Sequence, residues 1–299
     1  MTRPGGRMRL GPLGVWTFFE SLPAPDAAAA AQRIESLGYS ALWIPEAIGR
    51  EAFSQSSWLL ANTKTLVIAT GIANLYARDP AASAAAQKTL AEQSGGRFLL
   101  GLGVSHRPMV EGVRGHVYAS PVKTMRAYLE AMKKAPYMSR PPAEAPPTVI
   151  AALGPQMLRL AAKLTQGAHP YFTTPEHTAF ARKELGPDAW LCVEQKVLLE
   201  TDPEKARKLG RAAAGIYLGL ENYRNNWKRL GFADADLANG GSDRFIDATI
   251  AWGDVAAIQR RVRAHQDAGA SHVCIQPIHP DGVPLPHWPV LEALAPRGR

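Results

Sequence analysis

The sequence predicts one closed (β/α)8 barrel spanning residues 1–299, and three observations support this fold class. The length of 299 residues suits a single barrel-sized domain. Hydrophobic residues make up 46% of the chain and charged residues 20%, which allows a large core and excludes extensive disorder. β-rich runs alternate with helical segments along the whole chain, and because each helix supplies a crossover, the strands are expected to be parallel.

The predicted elements follow a regular order. A helix comes after the first strand, with Ala30, Ile34 and Leu37 on one face and Gly38 at its end. The predicted strands cover 13–19, 40–45, 66–73, 97–105, 148–153, 168–173, 190–199 and 272–278. The predicted helices cover 26–38, 53–61, 80–92, 122–134, 155–164, 175–185 and 255–269, and a short helix closes the chain.

Two stretches depart from this alternation. The Pro-rich stretch 139–147 is interpreted as a surface connection and not as a domain linker, because the alternation resumes directly after it. The region from Pro203 to about Asp254 predicts a helical insertion between the seventh and eighth strands, interrupted near 239–243, which would form a lid or a dimer surface. A doubly wound open sheet is the alternative fold, and the absence of a GxGxxG turn after the first strand weakens it.

Composition bounds the location and the partners. No apolar run is long enough to span a bilayer, and the basic residues of 1–11 precede no apolar region of a secretory signal. Cys192 and Cys274 lie within apolar runs, so a reducing cytoplasm is expected. The net charge of +8 weakly favours an anionic partner. Because the basic residues are scattered and no nucleic-acid-binding motif occurs, neither nucleic acid nor a membrane is an expected partner.

Two candidate acid–base residues follow predicted strands, at the end of the barrel where active sites lie. Glu46 comes after Pro45, and desolvation at the barrel mouth would raise its pKa and suit it to proton transfer. His106 ends the run GLGVSH and could transfer a proton near neutral pH. The alternatives are a solvated loop carboxylate for Glu46 and an ordinary histidine at the rim for His106.

The segment from Ala152 to Leu158 suggests an anion site. Gly154 allows close approach of the backbone, Pro155 can open a helix, and free N–H groups at a helix start attract phosphate. An ordinary strand-to-helix turn is the alternative. Near other strand ends, Trp16, Phe18 and Tyr76 either line an apolar substrate pocket or belong to the core.

Several catalytic classes lack their motifs. The eight histidines show no HxxxH or HExxH spacing, so no dedicated metal site is expected. There is no GxSxG elbow and no GxxxxGK loop, which argues against a serine hydrolase of that type and against a P-loop NTPase.

Taken together, several stretches resemble the luciferase-like family of flavin and deazaflavin oxidoreductases, most closely its actinobacterial branch that uses coenzyme F420. The stretches are LGVWT, GYSALWIPEAIGR, VIATGIANLYARDP, GRFLLGLGVSH, AALGPQMLRLAAKL and ENYRNNWKRLGF with the later AWGD. They cover nearly the whole chain, and their combination is specific although each piece alone is not.

The resemblance implies a cofactor ring at the barrel mouth, backed by a non-proline cis peptide bond between Gly71 and Ile72. It implies that the cofactor phosphate lies at the Gly154–Pro155 turn. The residues that it assigns to the cofactor are Gly71, Ile72, Ala73, Asn74, Gly103, Ala152, Gly154, Pro155, Met157 and Leu158.

The chain departs from the sugar-phosphate dehydrogenases of that family at two places. They carry an Asp-His pair after strand two and a Glu after strand four, whereas this chain has Pro45-Glu46 and His106. The sugar-phosphate substrate is therefore not carried over. We expect a cytoplasmic, homodimeric F420-dependent oxidoreductase acting on an unidentified small organic molecule, with His106, or else Glu46, as proton donor or acceptor. The alternatives are an FMN-dependent monooxygenase and a non-catalytic flavin- or F420-binding protein.

Overall fold

A computed structural model describes residues 8–296 of the chain. Residues 1–7, the greater part of the segment in which no secretory signal was expected, and residues 297–299 lie outside the described residues. Within residues 8–296, no helix combines the length and the apolar character needed to cross a membrane.

The described chain contains ten strands, which account for all eight predicted ones. They are β1 (Leu13–Trp16), β2 (Ala41–Ile44), β3 (Val67–Thr70), β4 (Ala73–Asn74), β5 (Phe98–Gly103), β6 (Thr148–Ile150), β7 (Gly167–Ala168), β8 (Trp190–Leu199), β9 (Ile250–Gly253) and β10 (His272–Pro277). The predicted third strand is divided at Gly71–Ile72 into β3 and β4. The prediction missed β9, which lies within the insertion.

Helices connect the strands, and their first turns explain where they begin. They are α1 (Ala24–Ser36), α2 (Ala52–Ala61), α3 (Pro80–Gln93), α4 (Pro121–Lys134), α5 (Pro155–Leu164), α6 (Pro175–Leu185), α7 (Pro203–Leu218), α8 (Glu221–Arg229), α9 (Asp243–Thr249), α10 (Val255–Asp267) and α11 (Trp288–Ala293). Asp79, Asp202 and Asp254 cap α3, α7 and α10 by accepting from backbone N–H groups of the first turn.

The sheet closes into a barrel of eight parallel strands, which confirms the predicted fold. The strands pair in the order β1, β2, β3, β5, β6, β7, β8, β10, and β10 pairs again with β1. The closing register sets Leu13 opposite Val273. β9 pairs with the last residues of β8, beyond the point where β7 has stopped. The predicted insertion between the last two barrel strands is therefore α7 to α9 together with β9.

Alternation along the strands separates two cores. One lies between the strands and the surrounding helices and contains Val15, Leu42 and Ile275. The other fills the barrel and contains Trp16, Trp43, Ala69, Leu99, Cys192 and Cys274. Both cysteines are free and buried, as the sequence predicts. A third cluster lies in the insertion, around Trp227 and Phe245.

Candidate functional site

The backbone after β3 carries the cis peptide bond expected between Gly71 and Ile72. The carbonyl of Gly71 accepts a hydrogen bond from Trp16 Nε1 at 3.0 Å, and its N–H donates to Ile44 at 2.7 Å. A Cβ on Gly71 would lie 2.6 Å from Trp16 Nε1, so only glycine fits at this position. The Ile72 side chain stays half-buried at the mouth of the barrel.

Glu46 holds this segment in place, and the structure gives it no free oxygen. Its side chain is almost fully buried and forms a two-point ion pair with Arg78. Its Oε2 also accepts from Asn74 N at 2.7 Å, and its own backbone N–H donates to Ile72 at 3.2 Å. Both carboxylate oxygens are therefore engaged by partners within the protein. This geometry favours a positioning role for Glu46 over the proton transfer expected from the sequence.

Asn74 and Gly103 occupy neighbouring positions on paired strands. Asn74 is 1% exposed, its Oδ1 accepts from Tyr76 N, and its Nδ2 has no partner among residues 8–296. Gly103 does not present an open backbone, because a Cβ there would lie 2.4 Å from Cδ1 of Ile72. Gly103 therefore makes room for the Ile72 side chain, and Ile72 is the group that could support a ring from behind.

His106 lies where β5 leaves the barrel, facing the insertion. Its Nδ1 lies 3.1 Å from Asn222 Oδ1, and its ring centre lies 5.6 Å from that of Tyr223 on α8. Partial burial lowers the pKa of His106 below its ordinary 6.5, against the opposing effect of the Asn222 hydrogen bond. The ring is therefore neutral at pH 7 and can accept a proton.

No side chain caps the start of α5, and what distinguishes it from the other uncapped helix starts is the guanidinium beside it. Gly154 occupies the cap position, and a Cβ there would meet only Arg229 Nη2, at 3.7 Å. Arg229 extends from the end of α8, where its Nη1 donates to Asn226 Oδ1 at 2.9 Å. Asn226 is 1% exposed, and within the described chain its Nδ2 has no partner. The free N–H groups of the helix start and the guanidinium of Arg229 thus lie close together, which suits an anion.

The remaining cofactor residues expected from the sequence support these positions from behind. Ala73 and Ala152 are buried in the barrel wall. Met157 and Leu158 are buried under the first turn of α5, where they fix the Gly154–Pro155 turn against the core. These side chains face the core and position the backbone, and no side chain caps the N–H groups at the start of α5.

Aromatic side chains cross the barrel mouth. The Trp16 ring centre lies 4.9 Å from that of Phe18 and 5.2 Å from that of Tyr171. Tyr76, expected in the same pocket, instead packs on His116 and accepts from Ala119 N at 3.2 Å, so it supports the loop between β5 and α4. Trp16 and Phe18 therefore lie together, and Tyr76 lies on another side of the mouth.

A buried ion pair below these rings is a feature the sequence motifs did not reveal. Lys196 Nζ lies 3.3 Å from Glu194 Oε1 and 3.9 Å from the centre of the Tyr171 ring. Burial lowers the pKa of Lys196 to about 8, with the attraction of Glu194 opposing it, and burial raises the pKa of Glu194. The sequence did contain a sign of this pair. Glu194 and Lys196 are two positions apart in an otherwise apolar strand, so their side chains point to the same side of the sheet, into the barrel.

No group of side chains within residues 8–296 is arranged to hold a metal ion. A model of the family described as luciferase-like monooxygenase matches residues 11–272. The chain belongs to this family.

Two curated relatives match most of this luciferase-like chain. A putative coenzyme F420-dependent oxidoreductase of Mycobacterium tuberculosis is 23% identical over 90% of this chain and 94% of its own. The 5,10-methylenetetrahydromethanopterin reductase of Archaeoglobus fulgidus is 25% identical over 83% and 88%.

Among solved structures, an F420-dependent secondary alcohol dehydrogenase in complex with an F420-acetone adduct superposes with a TM-score of 0.74. It is 15% identical and covers 90% of this chain and 94% of that one. At this identity the match supports the fold of the luciferase-like chain.

Proposed function

We propose that the protein is an F420-dependent oxidoreductase that transfers a hydride between the deazaflavin and a small organic molecule. The observation that carries the proposal is the uncapped start of α5 beside Arg229, because F420 bears a phosphate and an acidic tail. The matching relative from Mycobacterium tuberculosis is itself described as F420-dependent, which supports the same cofactor. The net charge of +8 suits a polyanionic ligand.

The residues along the cleft fit such a cofactor. The N–H groups at the start of α5 and Arg229 would hold the phosphate, and Ile72 would back the ring. The unpartnered Nδ2 of Asn74 offers a donor to a ring carbonyl or nitrogen. A bound deazaflavin would supply or accept the hydride at its central ring carbon.

His106 is the residue proposed to move a proton. It is neutral at pH 7, partly exposed at the mouth and held by Asn222 and Tyr223. Glu46 would fix the Gly71–Asn74 segment behind the ring and take no part in proton transfer. We further propose that the protein is a homodimer in the cytoplasm. Size-exclusion chromatography of the purified chain would test the dimer.

The first experiment is a fluorescence titration of the purified protein with F420 and, separately, with FMN. Preferential binding of F420 is the expected result. Preferential binding of FMN would instead favour a monooxygenase, which the description of the family favours as the second candidate. F420 binding without turnover on any hydride acceptor would leave a cofactor-binding protein. Binding of neither cofactor would refute the proposal.

A pair of variants on α8 tests the phosphate site. Arg229→Ala should weaken F420 binding roughly tenfold, because a charge-assisted hydrogen bond to phosphate is lost. Lys228→Ala removes the same charge from the preceding residue, but the ammonium of Lys228 pairs with Asp234 at 2.7 Å, so this variant should keep the wild-type affinity. Equal affinities in the two variants would show that Arg229 does not contact the cofactor.

A further inference from the structure

A cavity of about 240 Å³ lies beside the aromatic side chains of the mouth, between α7 of the insertion and the loop after β10. Its lining is mostly apolar, and it includes Leu209, Ala213, Ile278 and Leu285. The polar side chains that reach it belong to Thr17, Gln276 and His279. Neither lysine nor arginine lines it, so it does not suit a phosphate or a carboxylate.

The orientation of the Gln276 carboxamide follows from its neighbours. Its Oε1 accepts from Tyr171 Oη at 2.8 Å and from Lys196 Nζ at 3.3 Å. The ammonium of Lys196 can only donate, so the oxygen of the amide must face it and the NH₂ group must turn away. Nε2 donates to no described residue, and it is not among the fully enclosed polar atoms, so its hydrogens reach the cavity.

The buried pair behind Gln276 sets its donor strength without adding net charge. Glu194 neutralises Lys196, and Glu194 in turn accepts from Phe172 N at 2.8 Å. The ammonium polarises the amide through its oxygen, which strengthens the N–H donors on the opposite side. The cavity therefore offers the Gln276 amide as a directed donor in a mostly apolar setting without lysine or arginine.

The cavity adjoins the proposed cofactor cleft. Phe18 lines the cavity and contacts Trp16, and Trp16 donates to the carbonyl of Gly71 at the cis peptide bond. A molecule in the cavity would thus lie across Phe18 from the backbone that backs the ring.

We propose that this cavity is the substrate site and that it takes a small, neutral, largely apolar carbonyl compound, whose oxygen accepts from Nε2 of Gln276. The proposal rests on the proposed oxidoreductase function, because only an enzyme has a substrate. The binding site itself is tested without turnover, so the two can fail separately.

Calorimetric titration of the full chain with three matched probes tests the site. The probes are 1-tetralone, its hydrocarbon tetralin, and the carboxylate 1-naphthoate. We expect 1-tetralone to bind roughly tenfold more tightly than tetralin, which corresponds to one directed hydrogen bond, and 1-naphthoate to bind more weakly than the ketone. Equal binding of ketone and hydrocarbon, tighter binding of the carboxylate, or no binding of the ketone would overturn the proposal.

Three variants locate the binding. Gln276→Glu keeps the acceptor for Lys196 and Tyr171 but removes the donor, so the ketone should lose its advantage while tetralin binding stays unchanged. Ala213→Phe narrows the cavity without touching Gln276 and should weaken both probes. Gln93→Glu, on an exposed position of α3, is the matched control and should bind as the wild type does. If Gln276→Glu still binds the ketone more tightly than tetralin, Gln276 is not the hydrogen-bond donor to the ketone.

The F420 titration of the same variants separates the two proposals. Gln276→Glu should bind F420 with unchanged affinity, because Gln276 lies away from the start of α5. Failure of wild-type protein to bind F420, together with ketone preference, would refute the cofactor and keep the carbonyl site. If the wild-type protein binds F420 but binds the ketone no more tightly than the hydrocarbon, the carbonyl site is refuted and the cofactor is kept.

Discussion

Replacing Lys196 by methionine would leave the carboxylate of Glu194 buried without its ion-pair partner. Glu194 is fully buried, and Lys196 is 2% exposed. Breaking such a pair by removing one member typically costs about 3–5 kcal/mol, because the remaining charge has no compensation.

The structure also sets an upper limit on this cost, since Glu194 can escape it by taking up a proton. The unfolded carboxyl has a pKa near its ordinary 4.5. At pH 7, adding a proton to a carboxyl of that pKa costs about 1.4 kcal/mol for each of roughly 2.5 pH units, or about 3.5 kcal/mol. At pH 5 the same cost falls below about 1 kcal/mol.

The sign of the pH dependence follows from this protonation. Burial raises the pKa of Glu194 in the folded state, so the folded variant binds a proton that the unfolded chain releases. The free energy of unfolding of Lys196→Met should therefore fall further below that of the wild type as pH rises from 5 to 7. The double variant Glu194→Gln with Lys196→Met should lie within about 1 kcal/mol of the wild type, because no buried charge remains.

Urea unfolding followed by circular dichroism at pH 5, 6 and 7 measures these differences for the wild type, both single variants and the double variant. The reasoning fails if the loss in Lys196→Met does not change with pH, or if the double variant is as unstable as the single one.

Two further predictions concern the candidate site. Once a hydride acceptor is found, His106→Ala should lower turnover by about 10²- to 10⁴-fold, with the F420 affinity unchanged. The matched control is His116→Ala, at an exposed histidine of the same loop, and it should keep full turnover. Unchanged turnover in His106→Ala would remove His106 from the mechanism. Glu46→Gln should lower the free energy of unfolding by about 1–2 kcal/mol through the weakened pair with Arg78, while the pH profile of turnover keeps its shape; loss of one limb of that profile would instead assign proton transfer to Glu46.

The fold was predictable because short-range sequence patterns determine its strands and helices. Short apolar runs separated by amphipathic segments determine strands and crossover helices, and the number of strands then favours a closed barrel. β9 escaped prediction because its four residues lie within a mostly helical insertion and pair with the last residues of β8.

The candidate site was predictable where a motif carries it. The Gly154–Pro155 turn and His106 were singled out from the residues themselves, and the Gly71–Ile72 cis bond was implied by the family resemblance. The structure has the cis bond and the uncapped helix start at the expected places. The side chains around them could not be assigned in the same way. Whether Glu46 is a free acid or half of an ion pair depends on Arg78, which is 32 residues away in the chain.

The sequence by itself determined the barrel, its insertion and the order of the loops at the mouth, because these depend on periodicity and on turn residues that act locally. Only the tertiary structure decided which polar groups meet. Arg229 reaches Gly154, which lies 75 residues earlier in the chain. Gln276, Lys196 and Tyr171 come together from β10, β8 and the loop after β7. Hydrogen bonds and burial act at distances of a few ångströms, so the partners of a side chain, and hence its charge and role, are fixed only when the barrel closes.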